Sequence, residues 1–227
     1  MRRPPEPGVA NEWQAKMKFD PDRHHRRSIR LKDYNYAQTG AYFVTVCTHE
    51  RECVFGNVVE REMRLNEYGK TTTACWEEIP HHFAGVELDA FVVMPNHIHG
   101  VVGITNDRQQ PPNPRATHAS PLRKPRGPQR KSLGAIIGTF KSASTKRVNE
   151  MRQAPGMPLW QRDYHEHVIR DENEWNRIRE YIAANPARWA GDVNNPARSR
   201  DARAKTVDEE FKGIFAAPRD GRKKTAM

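Results

Sequence analysis

The sequence predicts an α+β fold built on an antiparallel sheet, and three observations lead there. Runs of β-branched and aromatic residues, such as AYFVTVCTHE (41–50) and HIHGVVGI (97–104), alternate with segments whose apolar residues recur at helical spacing. Two of the runs, VELDAFVVMP and HIHGVVGI, adjoin at Pro95-Asn96, a hairpin junction. All of this lies between polar, Pro-rich or Arg-rich stretches that lack any apolar period.

The elements follow in order. Residues 41–50 read as a strand after the turn residues Thr39 and Gly40. Residues 65–83 read as a helix, with Asn66 as N-cap and Pro80 closing it. The hairpin strands come next. SLGAIIGTFKSASTKRVNEM (132–151) places Leu133, Ile136, Ile137, Phe140 and Val148 on one helical face behind Ser132 as N-cap. LWQRDYHEHVIR (159–170) predicts another strand. DENEWNRIREYIAANP then opens with Asp171 and Glu174 at capping-box spacing and is expected to stop at Pro186. The first six elements give the ferredoxin-like βαββαβ plan, with both helices on one face of the sheet, and the seventh is an extra C-terminal helix.

The 227 residues hold 38 Lys plus Arg against 28 Asp plus Glu, for a net charge of +10. That balance favours a polyanionic partner, nucleic acid or an acidic membrane face, or else marks a merely basic soluble surface. The expected organisation is a flexible basic arm (1–25), a folded domain (26–190) interrupted by a disordered Pro/Arg-rich insert (105–131), and a basic tail (191–227). Three cysteines, with no CxxC pair among them, argue against a disulfide framework or a thiolate zinc site and fit a reducing compartment. Neither a secretory leader nor a run of about 20 apolar residues is evident, so a cytoplasmic protein is expected.

In FVVMPNHIHGVVGI (91–104), Asn96, His97 and His99 interrupt an otherwise apolar hairpin. Residues two apart in a strand share a face, so His97 and His99 project together and can grip one divalent metal. Their ordinary explanation is a pair of half-exposed sheet histidines, and a two-residue grip is incomplete. REYIAANP supplies a further candidate, since Tyr181 and Asn185 lie one helical turn apart. An amide carbonyl can complete a coordination sphere, and a phenol can act as a nucleophile. Trp175, Ile178 and Ile182 on an adjacent face would dock this helix on the sheet.

MPNHIHG, then GAIIGTFKSASTKRVN, LWQRDYHEHVIRDE and YIAANP, in this order, resemble the REP-associated tyrosine transposases, members of the HUH endonuclease superfamily. The resemblance spans about residues 26–190. It implies that His97, His99 and Asn185 hold Mg²⁺ or Mn²⁺ and that Tyr181 on the extra helix is the nucleophile. The implied activity is that of a metal-dependent single-stranded DNA endonuclease and strand transferase, acting at stem-loop DNA through a 5′-phosphotyrosine in DNA transposition. A bacterial, nucleoid-associated monomer or homodimer with no membrane partner would fit. Arg26, Arg27 and Arg30 before the first strand, and Lys141, Lys146 and Arg147 on the second helix, are candidate DNA contacts.

Rivals exist within the chain. Tyr164 is a second candidate nucleophile, although no polar residue sits a helical turn from it. His165 and His167 form a second HxH pair, a candidate for outer contacts or for a two-motif phosphoesterase. A non-catalytic, domesticated module binding hairpin DNA or RNA is the alternative from another class. The glycine-aromatic strand signature of RNA-recognition domains is absent.

Overall fold

The computed structural model describes residues 38–105 and 132–198. The N-terminal arm, nearly all of the insert and most of the tail, together with Arg26, Arg27 and Arg30, lie outside the described residues. Among the described residues, six strands and four α-helices form: β1 (Gly40–Cys47), β2 (Gly56–Val59), β3 (Glu62–Leu65), α1 (Glu67–Glu77), α2 (Ile79–His82), β4 (Val86–Met94), β5 (His97–Ile104), α3 (Leu133–Met151), β6 (His165–Ile169) and α4 (Glu172–Arg188). β1, β4, β5 and β6 make a four-stranded sheet in the order β4-β5-β1-β6, with every neighbouring pair antiparallel. No helix among the described residues is long and apolar enough to cross a membrane.

Strand alternation divides the sheet into two faces. On one, Tyr42, Val44, Val46, Ile98, Val102 and Ile104 pack against Trp76 of α1 and Leu133, Ile136, Ile137 and Phe140 of α3. On the other, Ala41, Phe43, Val101 and Ile169 pack against Ile178, Tyr181 and Ile182 of α4. The extra helix thus covers the face that α1 and α3 leave open. It is tied to β4 by Asp89, whose Oδ2 accepts from the Trp175 indole and, at 2.7 Å, from Arg179 Nε.

The expected caps form. Asn66, Ser132 and Asp171 each accept a backbone N–H three residues on, from Gly69, Ala135 and Glu174. Four local details differ from expectation. The helix expected over 65–83 is two helices, because Pro80 sits in the first turn of α2, where a missing N–H costs nothing, and does not close α1. α4 runs through Pro186 to Arg188, and the Pro186 carbonyl still accepts from Trp189 N. The strand expected over 159–170 is confined to β6, preceded by an isolated bridge between Trp160 and Thr48. The β2–β3 hairpin had no turn signal, since its two central residues, Glu60 and Arg61, adopt positive φ (52° and 67°) without being Asn or Gly.

Gly100 accounts for the glycine that ends the HIHG segment. A Cβ built there would lie 2.4 Å from Trp76 Cζ2. Trp76 has no room to yield, being stacked on Phe91 at 4.8 Å and met edge-on by Phe140 at 5.3 Å. Gly100→Ala is therefore expected to destabilise the fold by about 1–3 kcal/mol through overpacking. Urea unfolding checks this, and adding Trp76→Phe should recover part of the loss; a double variant as unstable as the sum of the single ones would remove Trp76 as the cause.

Candidate active site

The hairpin turn Pro95-Asn96 brings the two histidines to the start of β5. Asn96 is fully buried, and its side chain uses both N–H donors and its carbonyl oxygen. Its Nδ2 donates to the carbonyls of Arg51 (2.9 Å) and Asn194 (2.7 Å), which fixes the amide orientation. Its Oδ1 therefore accepts from His97 Nδ1 at 2.9 Å, so the proton of His97 sits on Nδ1 and its Nε2 presents a lone pair.

His99 is the cross-strand partner of Thr45, and its Nδ1 lies 2.8 Å from the Thr45 hydroxyl. Both imidazoles are completely buried, with their Nε2 atoms 3.1 Å apart. Burial pushes His97 down to about 3, helped by the Arg51 charge, and holds His99 well below its ordinary value, with charge on His97 and His165 adding to the effect. Both rings are neutral at physiological pH, the form that ligates metals.

α4 delivers Tyr181 to the same point. The residue is 5% exposed, and its hydroxyl lies 3.3 Å from His99 Nε2. Phe43 wedges the assembly, stacking on His99 at 5.4 Å and meeting Tyr181 edge-on at 6.1 Å. One helical turn on, Asn185 is buried, and its Oδ1 has no hydrogen-bond partner. An orphaned buried carbonyl is costly unless something binds it.

A third contributor comes from beyond α4. Asp192 is 3% exposed, and its Oδ2 stands 3.8 Å from His97 Nε2. Donor atoms of His97, His99 and Asp192 lie within 4.8 Å of one another, a buried group able to hold a metal ion. Nitrogen and carboxylate donors without thiolate suit a divalent ion of the Mg²⁺–Mn²⁺–Zn²⁺ range.

The remaining candidates separate. Tyr164 packs with the α1/α3 core, on the other side of the sheet from the histidine pair. His165 and His167 share the histidine face through their pairing with Thr45 and Phe43, but His167 Nε2 donates to Glu174 Oε1 at 2.8 Å and so helps anchor the start of α4. Lys141 donates to the carbonyls of Gln161 (2.5 Å) and Arg162 (2.9 Å). Arg147 is held bidentately by Glu78 at 2.9 and 2.7 Å. Lys146 is largely exposed, 4.0 Å from Glu150. Sequence reasoning missed Thr45 and Asp192, and it noted Asn96 as a polar residue inside an apolar hairpin without giving it a role.

No family model matches the chain. A Haemophilus influenzae protein described as an uncharacterized protein is 40% identical over 176 residues, spanning 77% of this chain and 96% of its own length. The chain belongs to that protein's family. Among solved structures, a REP-associated tyrosine transposase bound to a REP hairpin aligns with 84% of this chain and 92% of its own, at 16% identity and a TM-score of 0.47. Two neutral histidines, a phenol and a carboxylate meet at one buried point, with the orphaned Asn185 carbonyl one helical turn beyond the phenol.

The histidine burial has a pH consequence for the metal-free protein. Unfolded imidazoles titrate near 6.5, whereas these two resist protonation until far lower pH. Below about 6.5 the unfolded chain binds more protons than the folded one, so stability falls as pH drops, by up to roughly 1.4 kcal/mol per pH unit for each histidine. Urea midpoints should fall between pH 7.5 and 5.5, and fall less in a His97→Gln/His99→Gln double variant. Equal falls in both proteins would clear the histidines of responsibility.

Proposed function

We propose that the protein is a REP-associated tyrosine transposase: a metal-dependent endonuclease and strand transferase for single-stranded DNA at stem-loop sites, working in the bacterial cytoplasm. The observation that carries this reading is the Tyr181 hydroxyl 3.3 Å from His99, within a buried His97–His99 pair. The ordered motifs MPNHIHG and YIAANP and the net charge of +10 support it further.

His97, His99 and the Asn185 carbonyl are the residues that would hold Mg²⁺ or Mn²⁺. When bound, such an ion offsets charge on the non-bridging oxygens of the scissile phosphate. Asn96 and Thr45 orient the two rings through their Nδ1 atoms, leaving both Nε2 atoms facing inward. Phe43 keeps water from one side of the site and sets the ring angle of Tyr181.

The Tyr181 oxygen attacks phosphorus, forming the O–P bond of a 5′-phosphotyrosine while the bond to the 3′ oxygen breaks. The phenol proton is lost to solvent, and the departing oxygen takes one up as a 3′-OH, so the step is proton-neutral. A second 3′-OH reverses it and joins strands without further energy input. Lys146, Arg26, Arg27 and Arg30 are the proposed phosphate contacts, and affinity should drop steeply with salt.

The test is covalent capture. Wild type, incubated with end-labelled stem-loop DNA from around its own gene and Mn²⁺, should yield a denaturation-resistant adduct. His97→Ala should lose it, and Tyr164→Phe should keep it. Tight binding with no adduct on any stem-loop would instead favour a non-catalytic hairpin-binding module.

A further inference from the structure

We infer that Asp192 is a direct ligand of the metal and that the turn following α4 is therefore part of the catalytic centre. This rests on the metal reading above. The side from which the carboxylate approaches separates a ligand from an orienting group. A carboxylate that merely orients a metal-bound histidine bonds the ring nitrogen facing away from the ion. Here both of those positions are taken, His97 Nδ1 by Asn96 Oδ1 and His99 Nδ1 by the Thr45 hydroxyl. Asp192 Oδ2 lies instead on the Nε2 side, 3.8 Å from His97 Nε2, where the two inward-facing nitrogens converge. That separation exceeds a hydrogen bond and suits two donors sharing one ion.

Keeping the carboxylate there also carries a cost. Asp192 is 3% exposed; the charges of Arg198 and Arg51 reach it, but no arginine or lysine comes within ion-pair distance of it among the described residues. A buried carboxylate that no cation touches is expensive unless one is supplied. Hydrogen bonding does not compensate on the inward side, because the Asn194 N–H, at 2.6 Å, serves Oδ1 and leaves Oδ2 toward the histidines.

The turn itself is built into place. The Asn194 carbonyl accepts from Asn96 Nδ2, the Val193 carbonyl accepts from Arg51 at 3.1 Å, and Asn195 N donates to the Asp192 carbonyl at 3.0 Å. One side chain, Asn96, thus positions both His97 and the segment that carries Asp192. With the orphaned Asn185 carbonyl, the protein offers two nitrogens and two oxygens. The carboxylate also brings a negative charge that neutral amide and imidazole donors lack, which raises affinity for a divalent ion.

The experiment measures metal binding without DNA or turnover. Full-length protein stripped with a chelator is titrated with Mn²⁺, free ion being read by electron paramagnetic resonance, alongside metal-free unfolding midpoints. Asp192→Asn keeps the acceptor for Asn194 N–H, and Asp192→Ser provides a second variant with a short acceptor. We expect each to weaken Mn²⁺ binding by about tenfold or more. Metal-free Asp192→Asn should unfold no earlier than wild type, since it removes a buried charge.

His97→Ala separates the failures. If it abolishes binding while both Asp192 variants bind like wild type, Asp192 is structural and the inference is wrong. If His97→Ala also binds like wild type, the metal reading falls, and this inference with it. A lowered metal-free midpoint in both Asp192 variants, with unchanged affinity, overturns the ligand role as well.

Discussion

Tyr181→Phe is expected to abolish the covalent protein–DNA adduct while leaving fold and DNA affinity in place. The substitution removes one oxygen and nothing else. The ring keeps its edge contact with Phe43 and its place beside Ile178 and Ile182 in the α4 core. The lost hydrogen bond is a long one, 3.3 Å to His99, so the stability change should stay within about 0.5–1.5 kcal/mol. Activity should respond on another scale, because the rival phenol, Tyr164, packs beneath the opposite face of the sheet. Removing a covalent nucleophile costs more than about 10³-fold in comparable enzymes. Denaturing gels, circular-dichroism melts and filter binding on the same preparations measure the three quantities separately. An adduct of wild-type yield from Tyr181→Phe would move the nucleophile and end the present reading of α4.

The sheet, the face its histidines share and the pairing of Tyr181 with Asn185 were legible because each depends on local periodicity. His97 and His99 share a face at period two, and the α4 residues at period four. The caps at Asn66, Ser132 and Asp171 were legible for the same reason, since each bonds three residues ahead. What escaped was non-local or unsignalled. Which face α4 covers depends on packing between residues 41–43 and 178–182, and no local pattern encodes it. The Glu60-Arg61 turn uses residues that rarely take positive φ. Asp192 falls in a polar, Pro-containing stretch that composition alone assigns to a tail, and only its distance from His97 reveals it. Lys141 and Arg147 were read as phosphate contacts from charge, whereas their ammonium and guanidinium groups already serve protein carbonyls and a carboxylate.

Asn96→Asp should be the most damaging near-isosteric change in the domain, and the reason lies in how the amide is used. Asn96 donates twice, to carbonyls that belong to two different segments, and accepts once, from His97. Its own carbonyl also receives the Thr48 N–H at 2.9 Å and the Thr48 hydroxyl at 3.0 Å, so the backbone there has no freedom to relax. A carboxylate of the same shape could still accept from His97 Nδ1. It would have no proton for the carbonyls of Arg51 and Asn194, and would face both at the 2.9 and 2.7 Å now spanned by donors. Two stranded acceptors cost about 1–3 kcal/mol each, before the buried charge is counted. The expected loss is therefore roughly 3 kcal/mol or more at pH 7.5, read as a shift in urea midpoint. Asn96→Ala discriminates the cause, since it strands the same two carbonyls without adding charge or repulsion, and should be less harmful than Asn96→Asp. Were Asp tolerated as well as Ala, the amide could not be the clasp between the histidine hairpin and the turn at Asp192, and the two halves of the site would have to be held together by the sheet and α4 alone.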